Sequence, residues 1–351
     1  MNSEWKSFPF CWKRLDIRLE GSVFLSVREL NELRRNGFDL LKRALTEQFR
    51  REQTAPGDPD VRKSPKERER TACRNYAMVE SWEQLGAVMS CPAVDGIDVS
   101  IHALTLDGRT GEHMEEFEET AGKLHRQGRF IALVLPYILR MRDKKRLAGI
   151  LCSLAPVLDS LVVKNIESLA FVKTIPQLDK IPIRTDYTAY AMNGASICQW
   201  GELGVSSVTL PVELNRYELG RLAGASVLAT ELVIYGHMPM MVSAQCVVRN
   251  TIGCQGQRYP VRIRDRKKQL HYVQNYCDNC YNVIYNDEPF SLLDCLDETE
   301  AFGLSVRKLH FTVETATQTR QVLDIFTDNY INGAGRQPET FTRGHWKRGV
   351  E

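Results

Sequence analysis

The sequence predicts an α/β protein in which eight parallel strands close into a TIM-like (β/α)8 barrel. Three observations lead to this prediction. From about residue 75 onward, short apolar runs alternate with amphipathic stretches of helical length, which is the pattern of consecutive βα units. There are eight such runs, and the last is again followed by a helix-like stretch. A length of 351 residues accommodates such a barrel with an appendage. A doubly wound open sheet is the structural alternative.

The chain begins with a segment that has the period of an amphipathic helix. Over residues 22–45, apolar side chains recur every three to five positions, and Ser26 followed by Glu29 is the pattern of a capping box. Residues 51–74 then contain three prolines and dense charge, as flexible linkers do. We therefore expect a short helical segment over residues 1–50, then a linker, and then the barrel.

The barrel strands are predicted where the apolar runs lie. The predicted strands are 75–79, 96–101, 130–135, 160–163, 182–186, 205–210, 227–235 and 307–313. The predicted helices include 114–127, 142–154, 192–202 and 212–222, with others near 290–301 and after residue 313. The barrel is expected to span residues 75–330 and to be followed by a basic tail over 331–351.

One connection is much longer than the others. About fifty residues, 236–289, separate the seventh predicted strand from the next helix. Loops that follow the carboxyl ends of barrel strands are where such folds build their active sites. This cysteine-rich insertion is therefore expected to take part in function.

Composition excludes several classes of protein. No stretch approaches the roughly 18 consecutive apolar residues of a membrane span, and the N-terminus lacks the apolar core of a signal peptide. A soluble, cytoplasmic protein without a membrane partner is expected. The net charge of +2, from 46 basic and 44 acidic side chains, gives no global field that would indicate nucleic acid. In a reducing cytosol the ten cysteines stay thiols and are available as ligands.

Four cysteines of the insertion form the candidate metal centre. They are Cys246, Cys254, Cys277 and Cys280. The last two make a CxxC pair, whose tight turn directs two sulfurs toward one site, and the other pair completes four ligands. The spacing of the first pair is wider than in zinc ribbons, whereas iron–sulfur clusters tolerate irregular spacing. Spacing alone therefore leaves a zinc ion and an iron–sulfur cluster both open.

A single free cysteine is more often a small buried hydrophobic residue than a ligand. Cys152 and Cys198, which lie within predicted helices, are interpreted in that way. Four cysteines within thirty-five residues, in polar and glycine-containing surroundings, instead favour a metal or cluster site. A redox dithiol is a weaker alternative, because a thioredoxin-like CxxC would not need the additional pair.

The stretch that holds the first cysteine pair has a recognisable pattern. It reads ELVIYGHMPMMVSAQCVVRNTIGC and contains a Glu, an apolar strand, a Gly and two cysteines. This pattern resembles the peptidase U32 family, also called collagenase-like proteases. Two further segments are similar to that family, TDYTAYAMNGASICQWGELGVSSVTLPVELN at 185–215 and FTRGHWKRGVE at the C-terminus. The likeness covers residues 76–351 and looks like the C-terminal portion of the long U32 proteins.

The resemblance implies a barrel fold and more than one kind of activity. Some members of the family are described as proteases, whereas others take part in oxygen-independent hydroxylation of tRNA, ribosomal RNA or ubiquinone. The ubiquinone members bind a 4Fe-4S cluster through four cysteines, so the resemblance implies a cluster at the four cysteines named above. Because the long members have an amino-terminal half, a partner U32 subunit that supplies this half is also expected.

The leading functional hypothesis is an iron–sulfur enzyme or enzyme subunit that hydroxylates or otherwise modifies RNA. A peptidase acting on a peptide substrate is the first alternative, and a non-catalytic subunit that carries a cluster is the second. The candidate catalytic residues Asp186, Glu213 and Asn215 lie at or just after predicted strand ends, where barrel enzymes place working groups. Helix caps and loop hydrogen bonds would explain the same positions.

Two further features bear on these alternatives. His237 lies near Cys246 in sequence, as the base of a thiol protease could. A thiol surrounded by three others would compete for metal, however, and a core or surface histidine explains His237 better. Basic residues with aromatic neighbours lie in the segments 258–268 and 341–349. Such segments are used to bind single-stranded RNA, although solvated charged loops have the same composition.

Overall fold

The computed structural model describes residues 16, 18, 20–47, 49–50, 72–104, 113–258 and 261–349. The chain divides into two compact units, Met1–Arg62 and Lys63–Glu351. The predicted linker lies outside the described residues up to position 71.

In the first unit the described residues form one long helix, α1 (Val27–Glu47). The Ser26 hydroxyl oxygen accepts the Glu29 backbone N–H at 3.3 Å, and the Glu29 carboxylate accepts the Ser26 N–H at 2.8 Å. These reciprocal bonds satisfy two backbone donors that a helix start leaves without partners. The predicted amphipathic helix and its capping box are confirmed.

The second unit contains the remaining helices and all the strands. The strands are β1 (Arg74–Val79), β2 (Gly96–Ser100), β3 (Phe130–Val134), β4 (Ser160–Val163), β5 (Ile183–Thr185), β6 (Ser207–Thr209), β7 (Ala229–Gly236), β8 (Pro239–Ser243), β9 (Val261–Arg264), β10 (Leu270–Tyr276), β11 (Tyr281–Tyr285), β12 (Phe290–Ser291) and β13 (Val306–Phe311). The helices are α2 (Trp82–Met89), α3 (Met114–Arg126), α4 (Lys144–Leu154), α5 (Ile166–Val172), α6 (Gly194–Glu202), α7 (Arg216–Gly224), α8 (Val247–Ile252), α9 (Leu296–Glu300) and α10 (Ala316–Asn332).

Eight parallel strands close into a barrel in the order β1-β2-β3-β4-β5-β6-β7-β13, and β13 pairs with β1 again. The pairing between β6 and β7 completes the closure, with Thr209 opposite Glu231. Helices lie between most of the consecutive strands. All eight strands coincide with predicted ones to within a few residues, so the TIM-like (β/α)8 barrel is confirmed and the open sheet is wrong.

Strand alternation places an apolar layer outside the barrel and a mixed layer inside it. Outward-facing side chains such as Leu133, Leu161 and Phe311 pack in one cluster with helix residues such as Leu124 and Phe326. Inside the barrel the apolar contribution is a small cluster, and the remaining interior positions are polar or charged. No helix among the described residues is long and apolar enough to cross a membrane.

The long connection after β7 folds into a sheet of its own. Its four antiparallel strands have the order β8-β11-β10-β9, and α8 lies between β8 and β9. The backbone leaves the barrel at Gly236, where φ is 154°. A Cβ at this position would lie 2.7 Å from the backbone oxygen of His310, so the close approach of the two strands requires glycine.

The C-terminal segment packs on the barrel unit. Trp346 is buried, its ring lies 5.8 Å from that of Phe302, and its backbone oxygen accepts the N–H of Arg216. Arg343 forms a two-pronged ion pair with Asp294. Part of the predicted basic tail therefore has a structural role.

Candidate functional site

Two layers of charged side chains lie inside the barrel, the lower one near the middle of the strands and the upper one at their carboxyl ends. The lower layer consists of Asp98, Arg184, Glu231 and Lys308, all of them buried. Arg184 donates to both carboxylates at 2.7–3.1 Å. Lys308 Nζ lies 3.2 Å from Asp98 Oδ2 and 2.6 Å from Glu231 Oε2. Two positive and two negative charges thus neutralise one another.

The lower layer keeps its charges at neutral pH despite complete burial. Burial opposes ionisation, but Arg184 and Lys308 outweigh it and hold the pKa of Asp98 and of Glu231 below their usual values. In return, the two carboxylates raise the pKa of Lys308. Ser207 and Thr209 donate further hydrogen bonds to Glu231. This saturated network forms a rigid floor.

The upper layer lies at the carboxyl ends of the strands and is built differently. Glu80, Lys164 and Asp186 each directly follow a strand, and His310 is the penultimate residue of β13. Lys164 Nζ lies 4.0 Å from Glu80 Oε1 and 3.8 Å from Asp186 Oδ2, and His310 Nε2 lies 3.9 Å from Asp186 Oδ1. These distances are too long for hydrogen bonds. We call these four residues the barrel mouth.

The barrel mouth has the composition of an acid–base centre. Glu80 Oε2, Asp186 Oδ2 and His310 Nε2 have no hydrogen-bond partner within the described part of the chain. Burial lowers the pKa of His310 to about 4, so its imidazole is neutral at pH 7. An imidazole, an amino group and two carboxyl groups in one buried place are the kinds of side chain that proton transfer uses.

Tyrosines of the insertion cover the barrel mouth. The rings of Tyr276 and Tyr281 stack with centroids 4.9 Å apart, and the hydroxyl of Tyr276 lies 3.0 Å from that of Tyr285. Burial and then the charge of Glu80 raise the pKa of Tyr276. His102, two residues past β2, lies 2.8 Å from the Tyr281 hydroxyl. The insertion is thereby joined to the polar end of the barrel.

Arg258 fastens the insertion at the same place. Its guanidinium donates to the backbone oxygens of Glu80 at 3.2 Å and His102 at 2.8 Å, and it lies 5.4 Å from the centre of the Tyr276 ring. The first residue of the predicted basic segment 258–268 is consequently a clamp between insertion and barrel.

The four predicted ligands lie together in the insertion. Cys246, Cys254, Cys277 and Cys280 line one pocket of about 470 Å³. Tyr276 and Tyr281 belong to the wall of this pocket. Burial raises the pKa of both tyrosines, and they are close enough to Glu80 of the barrel mouth for its charge to raise it further. Burial raises the pKa of the Cys277 thiol, and the charges of the other three cysteines raise it further. Four thiolates in this place therefore need a cation to stabilise them.

Local structure explains how the cysteines come together. The CDNC motif is the turn that joins β10 to β11, and Cys280 adopts a left-handed conformation with φ 51°. Arg140 donates to the backbone oxygens of Asn279 at 2.9 Å and Cys280 at 3.1 Å, and Asn279 donates to Asp143 at 2.9 Å. The loop after β3 thus holds the turn. Cys246 is the N-cap of α8.

Two of the four thiols accept hydrogen bonds, and the Cys277 thiol also donates one to the backbone oxygen of Gln257 at 3.0 Å. The backbone N–H of Arg249 donates to Cys246 Sγ at 3.4 Å, and the Asn275 amide donates to Cys277 Sγ at 3.1 Å. A hydrogen bond with the Cys280 thiol raises the pKa of Arg142. Such donors stabilise negative charge on cluster sulfurs. The donor set therefore fits an iron–sulfur centre.

Within the described residues, no group of three or more His, Cys, Asp or Glu side chains is arranged to hold a metal ion. A tetrahedral zinc site needs four sulfurs within about 2.3 Å of one point. The thiols here line one pocket, and both a zinc ion and an iron–sulfur cluster take four cysteine ligands. All nine described cysteines are free.

The predicted catalytic residues have separate positions. Asp186 belongs to the barrel mouth, and its Oδ1 also accepts the Tyr187 N–H at 2.9 Å. Glu213 follows β6; burial and the charge of Asp186 raise the pKa of Tyr187, and the charge of Glu213 adds to this effect. Asn215 accepts the backbone N–H groups of Tyr217 and Glu218 as the N-cap of α7. Asp186 is thus placed for chemistry, whereas the contacts of Asn215 are those of a helix cap.

His237 does not pair with Cys246. Its Nδ1 lies 2.8 Å from the backbone oxygen of Asn286, and its Nε2 lies 3.9 Å from Glu314 Oε1. In the part of the chain that the structure describes, no hydrogen bond joins a histidine to a cysteine. The arrangement of a thiol protease is not found in these residues.

Glu80, Lys164 and His310 are functional candidates that the sequence reasoning missed. Glu80 and Lys164 each come directly after an apolar run that predicts a strand. That position is the signal that selected Asp186, and applied to every strand it would have found both residues. His310 lies inside the last apolar run. The sequence does not show that its side chain points into the barrel, because that depends on how the strands close.

Comparison with known proteins places the chain in a family. No curated protein matches the chain. The solved structure of the U32 peptidase Mk0906 is similar at 12% identity, over 69% of this chain and 94% of that chain, with a TM-score of 0.41. The YdjI aldolase from Escherichia coli K12 (11% identity, 75% and 92% coverage, TM-score 0.38) and a chitinase from Rhizomucor miehei (11%, 73% and 99%, 0.37) are similarly distant. Likenesses at this level say nothing about the reaction of this chain.

The family model gives the stronger result. The model for peptidase family U32 matches residues 80–316, which is more than half of the chain and includes the barrel mouth and all four cysteines of the pocket. The chain belongs to peptidase family U32.

Proposed function

We propose that this chain is an iron–sulfur enzyme of the U32 family that catalyses an oxygen-independent hydroxylation or related modification of RNA. In this proposal Cys246, Cys254, Cys277 and Cys280 hold a 4Fe-4S cluster. The observation that carries the proposal is the shared wall formed by Tyr276 and Tyr281. These rings line the four-cysteine pocket and also lie close to Glu80 of the barrel mouth.

Each part of this site has a role that follows from its chemistry. A cluster, when bound, supplies one-electron chemistry. At the barrel mouth, the carboxyl groups of Glu80 and Asp186 exchange protons with the substrate, His310 accepts a hydrogen bond from it, and Lys164 stabilises negative charge on a substrate oxygen. The tyrosines keep water away from these groups. An enzyme therefore explains the barrel mouth better than a non-catalytic subunit does.

The exposed surface of the insertion supports RNA as the substrate. Arg262 and Arg264 are exposed on β9, the edge strand of the small sheet. The Arg262 guanidinium lies 4.3 Å from the centre of the Tyr272 ring. Arginine stacked on an aromatic ring is a platform on which unpaired bases stack. Residues 237–289 contain seven Lys or Arg and four Asp or Glu side chains, a net charge of +3 that attracts phosphates.

The experiment that tests the cluster is anaerobic purification of the whole chain with iron and acid-labile sulfide analysis and an optical spectrum. We expect iron and sulfide in near-equal amounts with a broad visible absorption that reduction bleaches. Cys246→Ser and Cys277→Ser are each expected to lose most of the iron, because a cluster with three thiolates is less stable. Cys152→Ser and Cys198→Ser, at half-buried helix positions, are the matched controls.

Two results would contradict the proposal. If the purified protein contains zinc alone, or no metal, the four cysteines do not hold an iron–sulfur centre. Full iron content in both Cys246→Ser and Cys277→Ser shows that these residues are not ligands. The peptidase alternative has support from the family description alone, and it makes the opposite prediction: peptide hydrolysis by metal-free protein that is abolished by Cys246→Ser.

A further inference from the structure

The end of the loop between β3 and α4, together with the first turn of α4, is densely basic, and we call this segment the basic loop. Residues 140–146 read RMRDKKR, with five basic side chains and one acidic side chain. The proton-transfer groups of the barrel mouth and the RNA platform on β9 do not involve this loop. Its charge therefore needs a separate explanation.

This loop lies at the outer edge of the four-cysteine pocket. Arg140 and Asp143 hold the CDNC turn through Asn279 and the backbone of Cys280, and Arg142 contacts the Cys280 thiol. Cys254 and Cys280 are the exposed members of the cysteine set, whereas Cys246 and Cys277 are half-buried. The basic loop thus borders the side from which another molecule can approach the thiols.

Several charges of the loop are directed to solvent. Lys144 is paired with Glu167 at 3.2 Å. Arg142 and Lys145 are exposed, and together with Arg146 they line a surface pocket of about 560 Å³. The lining also includes the apolar side chains of Met114 and Ile150. The neighbouring Met141 is 77% exposed.

This combination fits a protein partner better than a nucleic acid. Arginine and methionine around an apolar depression are enriched at protein interfaces, and methionine adapts to irregular surfaces. Single-stranded RNA is bound with aromatic rings among the basic groups, and the lining of this pocket contains none. The positive charge selects a partner with an acidic face.

We propose that Met141, Arg142, Lys145 and Arg146 form the docking surface for an acidic electron-carrier protein. This inference rests on the proposed function, because it requires a redox centre at the four thiols. A cluster held by Cys246, Cys254, Cys277 and Cys280 would be reduced by one electron from the docked carrier, and the carrier would be oxidised. The basic loop steers the carrier to the exposed Cys280 edge.

The test uses the whole chain, purified anaerobically, and an acidic flavodoxin as the probe. Binding is measured by calorimetry at low and at physiological salt. We expect the Kd to rise with salt and to rise about tenfold or more in the double variant Arg142→Glu with Lys145→Glu, because like charges then face each other. The matched control is Lys173→Glu with Lys180→Glu, two exposed reversals near the amino end of β5, which should change the Kd less than about twofold.

The alternatives give different results. Equal effects of the two double variants, or no flavodoxin binding at low salt, overturn the proposal. If Arg142→Glu with Lys145→Glu weakens oligouridine binding but not flavodoxin binding, the loop is an RNA surface and the proposal is wrong. Lys145→Glu alone, which leaves Arg142 beside Cys280, provides the same comparison if the double variant does not fold.

Iron analysis of the same preparations separates this inference from the proposed function. Protein that contains the cluster but fails to bind flavodoxin overturns the docking surface alone. Protein that lacks iron but shows the expected charge dependence overturns the proposed function and, with it, the redox role of this surface. Only the binding of an acidic protein to the basic loop would then be supported.

Discussion

At the scale of single residues, the two charged layers of the barrel differ in how completely they are paired. Glu231 and Asp98 accept hydrogen bonds from Arg184 at both carboxylate oxygens. One layer above, Lys164 is no closer than 3.8 Å to either carboxylate. Buried charges normally obtain hydrogen bonds because isolated ones cost several kcal/mol. The lower layer is therefore structural, whereas the upper layer sacrifices stability in a way typical of functional sites.

The histidine of the upper layer leads to a prediction about pH. The pKa of His310 is lowered from 6.5 to about 4, so below pH 6.5 the unfolded chain binds a proton that the folded chain rejects. Stability then falls as the pH drops from 6.5 to 4 and loses about 3 kcal/mol from this residue. His310→Gln removes this contribution. Urea unfolding followed by tryptophan fluorescence at pH 7, 5.5 and 4.5 measures the difference.

The comparison is between the two pH dependences, because other groups titrate in both proteins. Wild type should lose more unfolding free energy than His310→Gln between pH 7 and pH 4.5. Parallel curves would show that His310 titrates normally and that the barrel mouth is more hydrated than its burial indicates.

The sequence predicted only some of the residues of the candidate site. The four cysteines were identified by their spacing, and Asp186 by its position after a predicted strand. Glu80 and Lys164 occupy equivalent positions but were overlooked, and nothing local distinguishes His310 from an ordinary strand residue. The partners that make these groups unusual come from other strands, and the sequence does not reveal those contacts before the barrel is closed.

At the scale of elements, the insertion depends on a few polar attachments to the barrel. Its sheet contains a small core around Tyr276, Tyr281 and Tyr285. Arg258 and Arg140 supply hydrogen bonds between this sheet and the barrel loops. Local opening of such a unit costs less free energy than unfolding of the barrel. The insertion should therefore respond to mutation separately.

Arg258→Ala tests this independence. Loss of the guanidinium leaves the backbone oxygens of Glu80 and His102 without these donors, and removes a cation from the Tyr276 ring. We expect faster hydrogen exchange in β10 and β11 but little change in the barrel strands. Arg262→Ala, on the exposed face of the same sheet, is the control. Equal exchange in the two variants would mean that Arg258 does not hold the insertion.

The sequence predicted the barrel elements better than those of the insertion. Apolar runs such as FIALVL and SLVV mark strands buried on both faces, which have a strong and simple pattern. In β10, LHYVQNY alternates buried and half-buried residues with polar side chains among them, and no strand was predicted there. The CDNC motif was recognised as a turn, but its place at the end of a hairpin follows from pairings along the whole insertion.

At the scale of the whole molecule, closure of the barrel satisfies the backbone hydrogen bonds of its strands within the barrel itself. Each of its eight strands pairs on both sides, so no barrel strand needs a partner from elsewhere. The core cluster of the second unit consists of residues between Ala77 and Trp346. The charge of the chain is also uneven, since residues 237–289 carry +3 within a total of +2. The insertion is therefore one of the regions of the chain that attract anionic partners.

Self-sufficiency of the second unit predicts the effect of removing the first. A chain that starts at residue 63 retains every barrel strand, the barrel mouth and the four-cysteine pocket. We expect its unfolding free energy to match that of the whole chain within about 1 kcal/mol, a shift of only a few degrees in Tm. Calorimetry measures the transition, and iron analysis of the same protein measures the cluster. A truncated chain that aggregates, or unfolds many degrees earlier, would show that residues 1–62 complete the core, and loss of iron alone would show that they protect the cysteine pocket.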